Sequence, residues 1–326
     1  MAIPVRHVAM ASAVAAILLL PPGAVLADKA GGQPSSAVIR TAMESVVSVL
    51  PDWPRKDEGG DEPEGSGVVI LDGHQIITAG HVMGAAETVR VRTDDGDILR
   101  ARLVGTDEAT DLSLLRVGRA LRPIAFAGEP ELGDPVCAIG NVFGLGLSVS
   151  CGMVSAVHRA GVGFNAIEDF IQTDAAVNPG ASGGALIDAS GRLAGVLSAI
   201  FTKSMDANIG VNFAVSSPLA EKVARALAAR GHVRWKPLGA ILAASPPPGE
   251  TGRRLVEVVR VVPNSPAGVA GLKGGDKIVR MGERRVMAPA DVTSAYVSAK
   301  SGDVLRITIE RAGAEREQLL VVPDQP

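Results

Sequence analysis

Aromatic residues are scarce: six Phe, two Trp and one Tyr in 326 residues. That is too few for the stacking platforms on which proteins lay single-stranded bases. Nor is there an excess of positive charge. With 32 Lys and Arg against 35 Asp and Glu, a formal net charge of −3, the chain offers no footprint for a phosphate backbone, and nucleic acid is excluded as a partner. Cysteine and histidine are sparse as well, two and five. Neither an HExxH nor a paired CxxC spacing occurs, so no metal is expected, and the reading calls for no organic cofactor. The apolar run Val8–Leu20 falls short of the roughly 20 residues a spanning helix needs. What is present is 47% apolar content and 38 glycines, enough to fill the cores of two domains and to make many turns.

The first 27 residues read as an address. Arg6, the apolar run, a Pro-Pro break and Val25-Leu26-Ala27 make a secretory signal peptide with cleavage before Asp28. The alternative is an uncleaved anchor facing the periplasm. Either way the remainder meets an oxidising compartment such as a bacterial periplasm, where its two cysteines can be joined.

Residues 28–64 form an N-terminal segment, with Ala37–Leu50 as a short helix or strand and Asp57–Gly65 as an acidic, solvated Gly/Pro loop. From there β-branched runs follow one another: Val68–Leu71, Thr88–Arg92, Leu112–Val117, Val136–Ile139, Val149–Val157, Leu193–Ile200 and Val211–Val215. Turns separate them and no helical pattern recurs between them, which is all-β rather than parallel α/β order. The first clear helix is Ser217–Arg230, with Ser217 as its cap, Pro218 in the first turn and Gly231 at the end. A linker at 231–237 leads to a second, smaller domain at 238–323.

Three short motifs carry chemistry: Thr78-Ala79-Gly80-His81, Thr110-Asp111-Leu112 and Gly180-Ala181-Ser182-Gly183-Gly184. A serine hydroxyl is a poor nucleophile until a base takes its proton, and an imidazole base needs a carboxylate to hold its tautomer. Ser182, His81 and Asp111 supply those three types, and a tight turn can aim the N–H groups of Gly180 and Ser182 at one oxyanion. The same glycine-serine segment fits the elbow of α/β-hydrolases. That reading fails, because the order there is Ser, acid, His, and the only histidine after Ser182 is His232 beside the linker. Cys137 and Cys151 are each seven residues from Gly144, the apparent tip of a hairpin. They face one another across two strands, either bridged or as two buried thiols.

The chain resembles the HtrA (Deg) family of chymotrypsin-like serine proteases. Gly65-Ser66-Gly67-Val68-Val69-Ile70, Ala138-Ile139-Gly140-Asn141, Phe170-Ile171-Gln172-Thr173-Asp174-Ala175-Ala176 and Asn208-Ile209-Gly210-Val211-Asn212-Phe213-Ala214 carry the resemblance beside the three motifs. Val262-Pro263-Asn264-Ser265-Pro266-Ala267 and Ala270-Gly271-Leu272-Lys273-Gly274-Gly275-Asp276-Lys277-Ile278 are similar to a PDZ domain. The resemblance implies a double β-barrel over 37–230 and one PDZ domain, no second PDZ fitting after Val322. It makes His81 the base, Asp111 its orienting acid, Ser182 the nucleophile, and Gly180 and Ser182 the oxyanion donors. Ala176, six residues before Ser182, implies a pocket for small aliphatic residues, and Val196, Leu197, Ser198 and Ala199 imply the strand that pairs with substrate. Arg159 matches an activation-loop arginine, and Leu238-Gly239-Ala240 the loop that holds a peptide's terminal carboxylate. The implied substrates are misfolded or unfolded envelope proteins, and the implied ligands of the PDZ domain are peptide C-termini.

Three departures qualify the match. Ala181 replaces the family's asparagine before the nucleophile and cannot make its hydrogen bonds, Gly80 replaces an asparagine before the base, and Val142 replaces a proline. Residues 28–50 contain no aromatic residue of the kind that joins family trimers, which puts a homotrimer in question. The rival reading is a scaffold or chaperone that keeps the fold and binds peptides without turnover. His74 and His158 read as surface residues, and Asp174 as a structural hydrogen-bonding residue.

Overall fold

The computed structural model describes residues 32–51, 65–200, 209–245 and 251–324. The leader and most of the acidic loop lie outside them. Helix α1 (Ser36–Met43) is followed by strands β1 (Val46–Pro51), β2 (Gly65–Ile70) and β3 (Gln75–Ala79), the single turn α2 (Gly80–Met83), and strands β4 (Thr88–Arg92), β5 (Ile98–Asp107) and β6 (Leu112–Val117). These six strands close into a barrel in the order β1-β2-β3-β6-β5-β4. Alternation drives the closure: in β4, Val89 and Val91 are fully buried while Thr88 and Arg90 are exposed, as one buried face requires. Val47, Val49, Val69, Ile76, Ala101 and Leu115 complete that interior.

A second barrel is built from β7 (Pro135–Asn141), β8 (Leu147–Arg159), β9 (Phe170–Thr173), β10 (Ala185–Ile187), β11 (Leu193–Ile200) and β12 (Asn212–Ser216), in the order β10-β11-β12-β9-β8-β7. Helix α3 (Ser217–Arg230) then packs Leu219, Val223 and Leu227 inward, and Gly231 ends it at φ +74 with its N–H on Leu227 O. The expected cap shifts by one residue. Ser216 occupies the N-cap position, Ser217 is already helical, and the Ser217 hydroxyl is buried without a hydrogen-bond partner among the described residues. The Ser216 hydroxyl is drawn away to Asp169 at 2.8 Å.

The C-terminal part is a sheet of β13 (Ala240–Ser245), β14 (Leu255–Val261), β15 (Lys277–Met281), β16 (Arg284–Arg285), β17 (Val304–Arg311) and β18 (Ala314–Val321), with helices α4 (Pro266–Val269) and α5 (Pro289–Ser298). The order is β13-β14-β15-β17-β18, with β16 against β15. Val256, Val258, Ile278, Val292, Tyr296, Ile307 and Ile309 form the core. Strand β13 pairs only with β14 among the described strands, so its other edge is open beside α5. No helix among the described residues is long and apolar enough to cross a membrane.

A buried carboxylate helps to join the barrels to this sheet, beside Lys222 of α3, which donates to Val297 O and Ala299 O. Asp169, fully buried, accepts from Ser216 on the barrel side and from Ser294 at 3.0 Å, Ser298 at 2.8 Å and Arg284 at 3.1 Å on the sheet side. His158 contacts it at 3.1 Å and faces Glu129 at 3.6 Å. The surface position expected for His158 is thus corrected: its ring is three-quarters buried because a buried anion needs charged partners.

Candidate active site

His81 and Asp111 meet because of strand register. Ala79 of β3 pairs with Leu112 of β6, so the next residues, Gly80 and Asp111, face each other where the ladder ends. Gly80 N–H donates to Asp111 O at 2.7 Å, and His81 N–H to Asp111 Oδ1 at 2.8 Å. The other carboxylate oxygen lies 2.6 Å from His81 Nδ1. An ionised carboxylate only accepts, so the neutral imidazole carries its proton on Nδ1 and presents the lone pair of Nε2 on the opposite edge. That is the tautomer a proton acceptor needs. The ring is half exposed, and Asp111 is mostly covered.

Ser182 comes from the second barrel, on the loop before β10. Its O accepts Ser66 N–H at 2.8 Å, which ties the loop to β2 across the barrels. Its hydroxyl donates to Ser198 O at 3.3 Å, its only partner among the described residues, rather than to the His81 ring. The Ser182 hydroxyl and the His81 ring are therefore not hydrogen-bonded in this arrangement; such bonds often form fully only with substrate in place.

The amides of Gly180 and Ser182 donate to nothing among the described residues. The reason lies in the carbonyls beside them. Pro179 O accepts Phe143 N–H at 2.8 Å, and in a planar trans peptide the Gly180 N–H points the opposite way. For Ser182 the carbonyl in the same peptide is Ala181 O, which accepts Gly184 N–H at 2.9 Å; the loop is held further by Gly180 O, which accepts the Ser66 hydroxyl at 2.7 Å, while Ser66 Oγ accepts Asn141 N–H at 2.8 Å. Ala181 makes no such side-chain bond; it is buried instead against Gly140. Gly183 sits at φ +83, where a Cβ would meet Ser66 O at 2.2 Å, so only glycine fits.

The remaining expected residues fall as follows. Ala176 is exposed, with its N–H on Ser150 Oγ at 2.9 Å. Asp174 accepts Met153 N–H at 2.7 Å, a backbone-holding role. Of the strand 196–199 expected to pair with substrate, Val196 pairs with Ala185 and Val215, and Leu197 O and N are bonded to Gly183 and Gly184. Their backbone groups are already used, so a free edge begins at Ser198. Arg159, at the end of β8, donates to Gln172 on β9 at 3.1 Å. The amides of Leu238 and Gly239 have no partner among the described residues, while their carbonyls accept Ala267 and Val262 N–H groups. Cys137 and Cys151 are register partners, Cα atoms 4.0 Å apart, and are joined. Sequence reasoning missed Ser66 and Phe143. A hydroxyl between two glycines in a fully buried strand was the available signal for Ser66, since a buried hydroxyl must find a partner.

Two closed six-stranded barrels, with a histidine–carboxylate pair from one facing a glycine-flanked serine loop from the other, define a chymotrypsin-like serine endopeptidase with a PDZ sheet behind it. The comparisons agree. A trypsin-like peptidase domain model matches residues 65–196 and a PDZ domain model residues 207–321. The chain is 32% identical over 274 residues to the serine endoprotease DegS of Salmonella typhimurium, covering 80% of this chain and 77% of that one. It is 34% identical over 285 residues to a probable periplasmic serine endoprotease DegP-like of Brucella suis, covering 84% of this chain but 55% of the relative. The chain thus spans little more than half of that longer relative. The structure of the HtrA-type protease AlgW with tripeptide superposes with a TM-score of 0.65 at 33% identity, over 90% of this chain and 98% of that one. The chain belongs to the HtrA (Deg) family of serine endopeptidases carrying a PDZ domain.

Proposed function

We propose that this chain cleaves unfolded proteins of the periplasm by a His81–Asp111–Ser182 mechanism. Ser182 Oγ attacks the scissile carbonyl as its proton passes to His81 Nε2, and Asp111 steadies the resulting imidazolium. The negative oxygen of the tetrahedral intermediate lies between the Gly180 and Ser182 amides. His81 then gives the proton to the leaving amine, and water, activated by the same ring, releases the acyl group. The single observation that carries the reading is the His81 Nδ1···Asp111 Oδ2 bond of 2.6 Å beside a serine loop whose Gly180 and Ser182 amides have no partner among the described residues.

An extended substrate segment adds along Ser198 and beyond, which folded proteins cannot offer. Its N–H competes for Ser198 O and frees the Ser182 hydroxyl to turn toward His81. Ala176 leaves the pocket uncharged, favouring small aliphatic residues before the cut. The Leu238-Gly239-Ala240 loop, with two amides unpartnered among the described residues, receives the carboxylate of a peptide C-terminus, and the peptide adds to the edge of β13 that no described strand covers. Location in the periplasm accords with the leader at 1–27 and with relatives named periplasmic.

A second reading is favoured by the Ser182 hydroxyl's bond to Ser198 O: a peptide-binding scaffold with little turnover. One experiment separates them. The full-length chain and Ser182→Ala are incubated with an unfolded model protein, with and without hydrophobic C-terminal peptides, and the products are mapped by mass spectrometry. Cuts after small aliphatic residues, abolished in Ser182→Ala, are expected. No cleavage by either form under both conditions would give the scaffold reading the field.

A further inference from the structure

The turn that carries Asp111 is gripped from outside the barrel ladder. Strand β5 ends at Asp107 and β6 begins at Leu112, so Asp111 closes a tight connection. It does so at φ +56, a conformation that costs a non-glycine residue roughly 1–2 kcal/mol and persists only where its surroundings hold it. Within the turn, Thr110 N–H donates to Asp107 O at 3.3 Å and Thr110 Oγ1 to Asp107 Oδ2 at 2.6 Å. Both residues are buried, and a buried carboxylate requires further donors. One comes from the linker. The indole Nε1–H of Trp235 is shared between Asp107 Oδ1 at 3.1 Å and Oδ2 at 3.2 Å.

A second grip comes from the loop between β8 and β9. Asn165 Nδ2 donates to Thr110 O at 3.0 Å, and Ile167 N–H to Ala109 O at 2.8 Å. The loop supplying them is folded around the buried Glu168 carboxylate, which takes the N–H groups of Val162, Gly163, Phe164 and Asn165 at 2.7 to 3.0 Å. That loop belongs to the barrel and comes with it. Trp235 does not: it lies in the 231–237 segment beyond α3, 128 residues from Asp107.

We propose that Trp235 is a positioning residue for peptide hydrolysis: through Asp107 and Thr110 it fixes Asp111, and through Asp111 the ring of His81. The inference rests on the hydrolytic role proposed above for those two residues. A group that sets the orientation of the acid acts on the reaction step rather than on substrate binding, so its loss lowers kcat and leaves KM in place. A residue that only anchors the linker would lower stability and leave kcat alone.

The test uses the full-length chain. Trp235→Phe keeps a ring and removes the N–H; Thr110→Val keeps the shape and removes the hydroxyl; Thr110→Ser restores it. Steady-state hydrolysis of an unfolded model protein, labelling of Ser182 by a fluorophosphonate, and urea midpoints are measured for each. Expected is a fall of about tenfold in kcat and in labelling rate for Trp235→Phe and Thr110→Val, with KM within about twofold and Thr110→Ser close to wild type. Should Trp235→Phe not fold, the Thr110 pair decides by the same criterion. An active wild type with unaltered kcat in Trp235→Phe, or a Thr110→Ser that restores nothing, overturns the inference alone. A wild type inert to both substrate and probe overturns the hydrolytic reading, and this inference with it.

Discussion

Ser66 touches no reacting atom in the proposed mechanism, yet it holds three parts of the site. Its hydroxyl donates to Gly180 O and accepts from Asn141, its N–H holds Ser182 O, and its O accepts the Thr78 hydroxyl. The residue expected to matter at this loop was Ala181, because it lacks the hydrogen bonds of an asparagine. The work of fixing the loop is instead done from β2. We expect Ser66→Ala to leave Gly180 O unpaired in a buried place and to let the amides drift, lowering kcat on the order of tenfold or more while KM changes little. Steady-state kinetics on an unfolded substrate, with a circular dichroism spectrum to verify the fold, check this. An unchanged kcat would mean that Phe143, through Pro179 O, suffices.

At the scale of elements, the hairpin β7–β8 is legible in the sequence: equal spacing from Gly144 puts the cysteines opposite each other, and they are register partners. The bridge closes a loop with a sequence separation of 14, for which chain entropy gives about 3 kcal/mol. Reducing agent is therefore expected to lower the unfolding free energy by about 2–4 kcal/mol, and replacing both cysteines by alanine to make the protein insensitive to reductant. Urea titrations with and without dithiothreitol measure both. Other elements were not legible. The stretch 37–50 was open between helix and strand, and it is both, α1 then β1, because its valines suit a strand only once β2 and β4 lie on either side. Strands β3 and β5 carry Gln75, Thr78, Arg100 and Arg102, polar residues that break the apolar pattern; barrel closure supplies the pairing that their composition does not announce. The edge of β11 is taken up to Leu197 for a related reason: ladder partners are a property of the closed barrel, not of the strand's own residues.

Over the whole molecule, Asp169 joins barrel and PDZ sheet. Burial alone would raise its carboxyl, but the hydrogen bond from His158, the charge of Arg284 and the Ser298 hydroxyl outweigh it and hold it at about 2, below its ordinary 3.8. Because the folded value is the lower one, the group stabilises the fold fully above about pH 4, and this is lost as pH falls toward 2. The difference amounts to about 2 kcal/mol. Urea midpoints at pH 5 and pH 2.5 should fall for the wild type by more than for Asp169→Asn, which is less stable at pH 5 to begin with. Equal falls would remove Asp169 from the account of acid sensitivity.

The sequence by itself determined the class. Alternating β-branched runs and glycine-rich turns led to an all-β fold and three motifs in one order to a histidine, carboxylate and serine, because side-chain type and spacing are local properties, while two barrels and a PDZ domain followed from the resemblance those motifs carry to the HtrA family. Only the tertiary structure decided how those groups stand. The β3–β6 register sets His81 on Asp111, Ser66 and Phe143 hold the carbonyls of Gly180 and Pro179 in the serine loop, Ser198 takes the Ser182 hydroxyl, and Trp235 and Asp169 reach across from distant parts of the chain. Each of these rests on hydrogen bonds between residues far apart in sequence, and those of Ser66, Trp235 and Asp169 satisfy buried groups whose partner is chosen only when the chain closes on itself.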